Sequence, residues 1–143
     1  MIKIRPYQDA DYESVKRNLE EGKLFDPVWD SRNNLLLKVT RAPDSIMVAE
    51  KDGKVVGNIY ILADGWSAFI FRLTVATKAQ GSGIGTELLN AAEDWVRDQG
   101  IEEIAGFVDD SDDALKAWYI KRGYNLTGQY RSMWKRVIPD GAT

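Results

Sequence analysis

The 143-residue sequence contains no cysteine and no histidine. Without cysteine, the chain can form no disulfide, no thiolate metal site and no cysteine nucleophile. Without histidine, a Ser-His-Asp triad and every histidine-ligated metal site are excluded. Carboxylates alone could hold a hard cation, but no pattern requires one, so we predict no metal. Proton transfer near neutral pH must therefore use carboxylates, tyrosine, lysine, water or the substrate itself.

Long apolar runs and an excess of basic residues are also missing. The net charge is −3, and the sequence shows no basic stripe of the kind that binds nucleic acid. No apolar run approaches the roughly 18 residues of a membrane span, and the N-terminus lacks the pattern of a signal peptide. We therefore expect a cytoplasmic protein with no nucleic-acid partner and no membrane partner.

Length and composition are those of one globular domain. Apolar residues make up 44% of the chain and charged residues 29%, which is close to ordinary usage. At about 100–200 residues per domain, the chain has room for one. We place this domain at residues 1–138 and expect residues 139–143 to form a loose tail.

Hydrophobic periodicity predicts a mixed α/β fold in the order β-α-α-β-β-β-α-β-α-β-β. Strands are predicted at residues 2–5, 46–50, 55–62, 68–75, 103–108, 124–126 and 129–136. Asp52-Gly53 and Asp64-Gly65 mark tight turns. The fourth strand is apolar on both sides apart from Arg72 and Thr74, so we expect it to lie centrally in a partly antiparallel, partly parallel sheet.

Helices are predicted from apolar spacing and from capping residues. Asp9 is the expected N-cap of the first helix, which Gly22 ends. Further helices are expected at residues 30–40, from residue 84 to Gly100, and at residues 112–122. The residues of the second helix that should face inward are Leu35, Leu36 and Val39.

Between the fourth strand and the third helix lies the sequence Gln80-Gly81-Ser82-Gly83-Ile84-Gly85. Backbone N–H groups that open a helix have no partner inside it and carry partial positive charge, and glycine lets a phosphate approach them closely. A pyrophosphate therefore fits this loop. It is not a P-loop, because no Lys-Ser/Thr pair follows the last glycine, and Thr86 occupies the third glycine position of a dinucleotide fingerprint. The alternative is that the glycines only form a tight turn.

Two motifs resemble signatures of the GNAT superfamily of acyl-CoA-dependent N-acyltransferases. The first is Leu73-Thr74-Val75 followed by Gln80-x-x-Gly83-x-Gly85 and Leu88-Leu89. The second is Asp112-x-x-Leu115-x-x-x-Tyr119-x-x-x-Gly123-Tyr124, in which aspartate replaces the asparagine of the family. With its element order, the chain is similar to small single-domain prokaryotic members, including the ribosomal-protein-type N-acetyltransferases. The resemblance implies the GNAT fold, with a split between the fourth and fifth strands.

The resemblance also implies that acetyl-CoA is the co-substrate and lies in this split. Its pantetheine arm would pair with the backbone of Leu73, Thr74 and Val75 as an added strand. A backbone N–H near Val75 would hold the acetyl carbonyl, and the pyrophosphate would lie on the amides of the loop. The loop residues thereby implied in cofactor binding are Gln80, Gly81, Ser82, Gly83, Ile84, Gly85 and Thr86.

For proton transfer, the resemblance implies that Tyr119 protonates the departing CoA thiolate, which a phenol can do. The helical pattern alone favours a packed aromatic residue, whereas the motif spacing favours the acid. Asp112 is expected to cap its helix first and to contact the cofactor second. Residues 69–75 and 104–108 contain no carboxylate that could act as a base. Three nearby acids could receive the proton through water or could be solvated loop charges, namely Glu103, Asp109 and Asp110.

The acceptor site should involve residues 23–29, residues 64–67 and the predicted closing hairpin. Aromatic residues there could line a pocket or could simply pack, and they are Phe25, Trp29, Trp66 and Tyr130. Arg72 could pair with a carboxylate of the acceptor or with a neighbouring aspartate.

We therefore predict an N-acetyltransferase that moves an acetyl group from acetyl-CoA to a primary amine. Direct attack in a ternary complex is expected, since no cysteine is available for an acyl-enzyme. The acceptor would be a small amine or a peptide or protein N-terminus, and a homodimer is a common state in the family. The alternatives are a non-catalytic acyl-CoA-binding module and a structural domain whose glycine turn binds nothing.

Overall fold

The computed structural model describes residues 1–138, which divide into two compact units. The first unit is Met1–Phe107, and the second begins at Val108. The predicted loose tail at residues 139–143 lies outside the described residues. The assignment of residues 1–138 to a single domain stays a prediction. No helix in the described part of the chain is long and apolar enough to cross a membrane.

The first unit is built on a five-stranded sheet. Its strands are β1 (Ile2–Pro6), β2 (Ile46–Lys51), β3 (Lys54–Ala63), β4 (Ala68–Val75) and β5 (Ala105–Gly106). The strands lie side by side in chain order, and all neighbours are antiparallel except β4 and β5, which are parallel. Asp52 and Gly53 join β2 to β3 with left-handed φ angles of 52° and 77°, as the predicted tight hairpin requires. The predicted mixed α/β fold is confirmed.

Helices cover both faces of this sheet. α1 (Tyr12–Glu21) and α2 (Arg32–Arg41) pack on one face, whereas α3 (Ile84–Asp98) packs on the other. The core beneath α1 and α2 includes Val15, Leu19, Leu35, Val48 and Tyr60. Consecutive residues of β3 face opposite sides of the sheet. Gly57 lies against Ile84 and Leu88 of α3, whereas the Asn58 side-chain amide bonds to α1. This is the alternation that a strand imposes on its side chains.

The first helix starts differently from the prediction. A 3-10 turn at Asp9–Asp11 precedes α1, so Asp9 is not its N-cap. Asp11 occupies that position, but its carboxylate accepts hydrogen bonds from the Arg5 guanidinium and the Gln8 N–H instead of capping the helix. The Asp11 carboxylate therefore ties the 3-10 turn to β1 through Arg5. Gly22 ends α1 as predicted.

The second helix corrects one of the residues predicted to face the core. Ser31 caps α2, since its hydroxyl accepts a hydrogen bond from the Asn34 N–H. Leu35 is buried and Val39 packs against the core, as predicted, but Leu36 is 49% exposed. Residues four apart share one face of a helix, whereas the next residue points about 100° away.

The fifth strand is shorter than the predicted range 103–108. It pairs with β4 only at Phe69 and Ile70. Gly106 contributes no side chain to the sheet, which weakens a strand at that point. Within the described residues, the part of β4 from Phe71 to Val75 therefore pairs on the β3 side alone. The fourth strand lies between two neighbours, as predicted, but more than half of it forms an edge.

The second unit contains α4 (Asp113–Lys121). Asp112 is its N-cap, and the Asp112 carboxylate accepts a hydrogen bond of 3.0 Å from the Leu115 N–H. Gly123 follows the helix with a left-handed φ of 93°. The position of this helix and its expected aspartate cap are thus confirmed.

The strands predicted at residues 124–126 and 129–136 are wrong, since residues 124–138 contain no strand. Met133 and Trp134 in this segment are almost fully exposed. A hairpin of two strands is marginally stable unless it packs on a further strand or a helix. Residues 129–136 also lack the strict polar–apolar alternation that fixes a strand register.

Candidate active site

A bulge interrupts β4 just before the residues predicted to hold the cofactor. The pairing of β3 and β4 shifts between Asn58 and Tyr60, and Arg72 adopts a left-handed φ of 54°. The Asn58 amide donates to the Arg72 carbonyl at 2.9 Å, and the Asn18 amide donates to Asn58 Oδ1 at 3.2 Å. These buried amides hold a backbone conformation that costs a residue other than glycine of order 1–3 kcal/mol. A bulge also bends its strand, so the edge of β4 changes direction here.

After the bulge, Leu73, Thr74 and Val75 present backbone rather than side-chain chemistry at the edge of β4. Thr74 is 6% exposed, and its methyl group faces Gly22 at the end of α1. The Thr74 hydroxyl has no hydrogen-bond partner within the described residues. On the β3 side, Thr74 pairs with Asn58 and Val75 with Gly57. An extended ligand could therefore meet main-chain groups along the other side.

Three hydrogen bonds hold the loop between β4 and α3 in place. Glu21, the last residue of α1, accepts a 2.8 Å bond from the Thr77 N–H, and this bond lowers the pKa of its carboxyl group. The Gln80 side-chain amide donates to the Val75 carbonyl at 3.2 Å. The Ser82 hydroxyl donates to the Ala79 carbonyl at 2.6 Å. The side chains of Gln80 and Ser82 thus stabilise the loop through hydrogen bonds to main-chain carbonyls.

The glycines of this loop are required by backbone conformation. Gly81 and Gly83 have left-handed φ angles of 85° and 83°, and no atom lies within 4 Å of a β-carbon placed at either residue. Gly83 is the N-cap of α3, followed by Ile84, Gly85 and Thr86 in the first turn. Amides of a first helical turn lack acceptors within the helix and attract anions. The left-handed glycines thus leave open space beside amides that could bind an anion such as a pyrophosphate.

The start of α3 is anchored by a contact that sequence reasoning missed. Ile84 and Leu88 approach Gly57 of β3 so closely that a β-carbon there would lie 3.1 Å and 3.0 Å from their methyl groups. The Thr74 carbonyl would lie 3.0 Å from the same β-carbon. A glycine inside a strand pattern is the signal that could have indicated this close approach.

In the second unit, the Tyr119 side chain packs against two aromatic rings. The Tyr119 ring meets Trp118 and Tyr124 edge to face, with centroid distances of 5.0 Å and 5.2 Å. Burial raises the pKa of the Tyr119 phenol, so it stays protonated at neutral pH. Two of the three carboxylates considered as proton acceptors hold local bonds. Asp109 accepts from the backbone and hydroxyl of Ser111, and Asp110 binds the Lys116 ammonium at 2.8 Å.

A buried carboxylate organises the α1–α2 side of the first unit. Asp30 is 1% exposed and receives bonds from the Asp26 N–H at 2.8 Å and the Tyr60 hydroxyl at 3.1 Å. Arg72 adds contacts of 3.3 Å from Nε and Nη2. The Tyr12 hydroxyl donates to the Asp30 carbonyl at 2.9 Å. Of the two partners considered for Arg72, the neighbouring aspartate is the one observed. Sequence reasoning missed the role of Asp30, because its partners come from distant parts of the chain.

The four aromatic residues predicted for the acceptor site have different environments. Phe25 packs against the core, with the Lys16 ammonium 5.5 Å from its ring centroid. Trp29 and Trp66 in the first unit are largely exposed, as is Tyr130 in the second. Phe25 is therefore a packing residue, whereas Trp29 and Trp66 are accessible.

Comparison with known proteins identifies a family along most of the chain. The sequence model of the Acetyltransferase (GNAT) family matches residues 7–124. Acetyltransferase SG1711 of Sodalis glossinidius is 30% identical over 139 residues, which cover 97% of this chain and 98% of that protein. Acetyltransferase ECA0875 of Pectobacterium atrosepticum is 29% identical over the same coverage. The family uses acetyl-CoA, so the predicted co-substrate is confirmed.

Solved structures show the same fold. Ard1 from Thermoplasma volcanium is similar with a TM-score of 0.79 and 25% identity, over 89% of this chain and 84% of that one. The PaiA N-acetyltransferase from Thermoplasma acidophilum, solved in complex with coenzyme A, has a TM-score of 0.77 and 21% identity, over 89% and 91% of the two chains. The chain is therefore similar to known acetyltransferases in sequence and also similar to solved structures in fold.

Proposed function

We propose that this chain transfers the acetyl group of acetyl-CoA to the nitrogen of a primary amine. The chain belongs to the GNAT acetyltransferase family, as its two motifs predicted. The amine attacks directly in a ternary complex. The observation that carries the proposal is the braced glycine loop, in which Gly81 and Gly83 open the N-terminus of α3 beside an edge of β4. Cytoplasmic location remains a prediction.

The cofactor-binding roles assigned from the motif are part of this proposal. The amides of residues 81–86 bind the pyrophosphate, and the edge formed by Leu73, Thr74 and Val75 binds the pantetheine arm through main-chain hydrogen bonds. Two features support this assignment. Left-handed glycines leave space for phosphate oxygens, and within the described residues Thr74 and Val75 pair with β3 and with no strand on the other side. Asp112 caps α4, and a contact of Asp112 with the cofactor is the second role that we propose.

The transfer forms a bond between the acceptor nitrogen and the acetyl carbon and breaks the bond between that carbon and sulfur. A backbone N–H near Val75 binds the carbonyl oxygen, where negative charge develops. Tyr119 gives its phenolic proton to the leaving thiolate. The amine nitrogen gives up one proton to water, and Tyr119 regains from water the proton that it gave to the thiolate, so the protons balance over one turnover. The raised pKa of the Tyr119 phenol supports Tyr119 as a proton donor rather than a base.

The test is release of CoA thiol from acetyl-CoA in the presence of a panel of amines. Because the chain has no cysteine, a thiol reagent reports CoA without background from the protein. We expect acetyl-CoA to raise the melting temperature and at least one amine to release CoA. Binding without release for any amine would indicate an acyl-CoA-binding module, and no shift at millimolar acetyl-CoA would indicate a structural domain.

A further inference from the structure

On the α1–α2 face of the sheet, the ammonium of Lys38 has no carboxylate partner within the described residues. Lys38 Nζ donates to the Ile61 carbonyl at 2.8 Å and lies 5.3 Å from the Phe71 ring centroid and 6.0 Å from that of Tyr60. An ammonium has three N–H donors, so two are left for another acceptor. Burial lowers the pKa of Lys38 to about 8, and the group is still mainly charged at pH 7.

The neighbouring cation, Arg72, is balanced. Arg72 forms an ion pair with Asp30 at 3.3 Å. Its charge also contributes to the lowered pKa of Asp26, after the bonds that Asp26 accepts from the Trp29 and Val28 N–H groups. Unlike Arg72, Lys38 therefore has no neighbouring carboxylate that balances its charge within the described residues.

An exposed apolar surface starts at the same point. Tyr60 and Phe71 are paired across β3 and β4 and meet edge to face at 5.5 Å. The next pair on this face is Leu62 and Phe69, and the Phe69 ring stacks on Phe107 at 6.1 Å. We call Leu62, Phe69, Phe71 and Phe107 the aromatic strip. Leu62 is 58% exposed and Phe107 is 84% exposed, so much of the strip is open to solvent.

β4 connects the aromatic strip to the proposed reaction site, and Lys38 lies beside Phe71 of this strand. Phe71 is the first residue of β4 that pairs on the β3 side alone, and Leu73 follows two residues later. Only Arg72 in the bulge separates them, so Phe71 and Leu73 are at most about 7 Å apart, the fully extended reach of two residues. A molecule of amino-acid or dipeptide size can therefore reach from the Lys38 ammonium toward the start of the proposed cofactor edge.

We propose that the acceptor is a small amine that also carries a carboxylate beside an aromatic or other apolar side chain, with Lys38 binding the carboxylate and the aromatic strip binding the side chain. This inference rests on the proposed acetyl transfer. A charged donor that is half-buried beside apolar surface binds a carboxylate more strongly than a fully solvated one does. Rings at its side bury the apolar group of the same molecule.

The experiment uses pairs of acceptors that differ in the carboxylate. Phenylalanine is compared with phenethylamine, and glycylphenylalanine with glycine phenethylamide, by CoA release from the full chain. We expect kcat/KM for the carboxylate form to be about tenfold higher in at least one pair, the order expected for one charge-assisted hydrogen bond. Lys38→Met should bring this ratio close to one. Lys54→Met, at an exposed lysine outside this site, should leave the ratio unchanged.

Because each ratio compares two acceptors on one protein sample, partial unfolding of a variant cancels. Equal rates within both pairs, or a ratio that survives Lys38→Met, would overturn the acceptor inference while acetyl transfer itself stands. If no amine releases CoA, the proposed function fails, and calorimetric binding of phenylalanine and phenethylamine then decides the inference. Tighter binding of phenylalanine that Lys38→Met abolishes would support it, and equal binding would overturn it.

Discussion

Two sites of the first unit hold charge in opposite ways. At the glycine loop, positive potential comes from backbone amides, and the side chains of Gln80 and Ser82 brace the loop. On the α1–α2 face, charge is carried by side chains. Lys38 lies against the Phe71 ring, and Arg72 and Asp30 form an ion pair. A ligand of the loop would bind main-chain amides, which a substitution rarely removes. A ligand of the α1–α2 face would bind side chains, which a single substitution can remove.

This difference explains why one site could be read from the sequence and the other could not. A backbone site needs glycines at fixed spacing after a strand, and the spacing is visible in the chain. A side-chain site depends on which distant residues the fold brings together. The proposed roles follow the same contrast, since we assign the shared co-substrate to the backbone site and the specific acceptor to the side-chain site.

The largest effect should follow from breaking the buried ion pair. Asp30→Ala leaves the Arg72 guanidinium and the Tyr60 hydroxyl without their acceptor, and we expect a loss of about 3–5 kcal/mol in the free energy of unfolding. Urea unfolding followed by circular dichroism measures it. Asp98→Ala, at an exposed residue, should change stability by less than about 0.5 kcal/mol. Comparable values for the two variants would show that Asp30 does not organise this face.

The next effect concerns proton donation at the second unit. Tyr119→Phe removes the phenolic proton but keeps the ring between Trp118 and Tyr124. We expect kcat to fall by about a hundredfold, at the low end for a general acid, with little change in acetyl-CoA affinity. Lys121→Met, at an exposed residue at the end of the same helix, is the control. Full turnover in Tyr119→Phe would leave Tyr119 as a packing residue.

Two glycines with the same conformation can separate binding from folding. Gly83→Val and Gly53→Val both place a side chain at a left-handed φ with open space around it, so their costs in stability should be similar. Only Gly83→Val should weaken acetyl-CoA binding, by about tenfold or more, which isothermal titration calorimetry measures. Unchanged affinity in Gly83→Val would place the phosphates elsewhere.

The smallest effect is a pH dependence of acceptor choice. Below a pKa of about 8 the Lys38 ammonium is charged, so the preference for glycylphenylalanine over glycine phenethylamide, whose reacting amines are alike, should be largest near pH 7. It should decline as pH rises through 8, because the neutral amine no longer attracts a carboxylate. The groups facing Lys38 include Tyr60, whose pKa burial raises far above this range. The ratio of kcat/KM values measures the decline, and Lys38→Met should show a flat ratio. A preference that persists at pH 9.5 would exclude Lys38 as its source.

The sequence predicted the elements whose signals are local. β4 was placed with its observed bounds, and α3 and α4 follow from apolar spacing with Gly83 and Asp112 at their starts. The extent of β5 and the absence of strands after α4 were missed, because pairing depends on a partner strand that periodicity does not reveal. The partner of Arg72 was narrowed to two choices, and tertiary structure was needed to select Asp30.

The one-sided pairing of β4 has a consequence for how ligand binding can be observed. Alternate amides of a strand point to opposite neighbours, so beyond the bulge at Arg72 the amides of Leu73, Thr74 and Val75 alternate between β3 and the open edge. Residue-resolved hydrogen–deuterium exchange should show the amides on the open edge slowing when an extended ligand pairs with the strand. General stabilisation of the protein would slow all three positions together. The exchange pattern can thus distinguish an added strand from a merely stiffer protein.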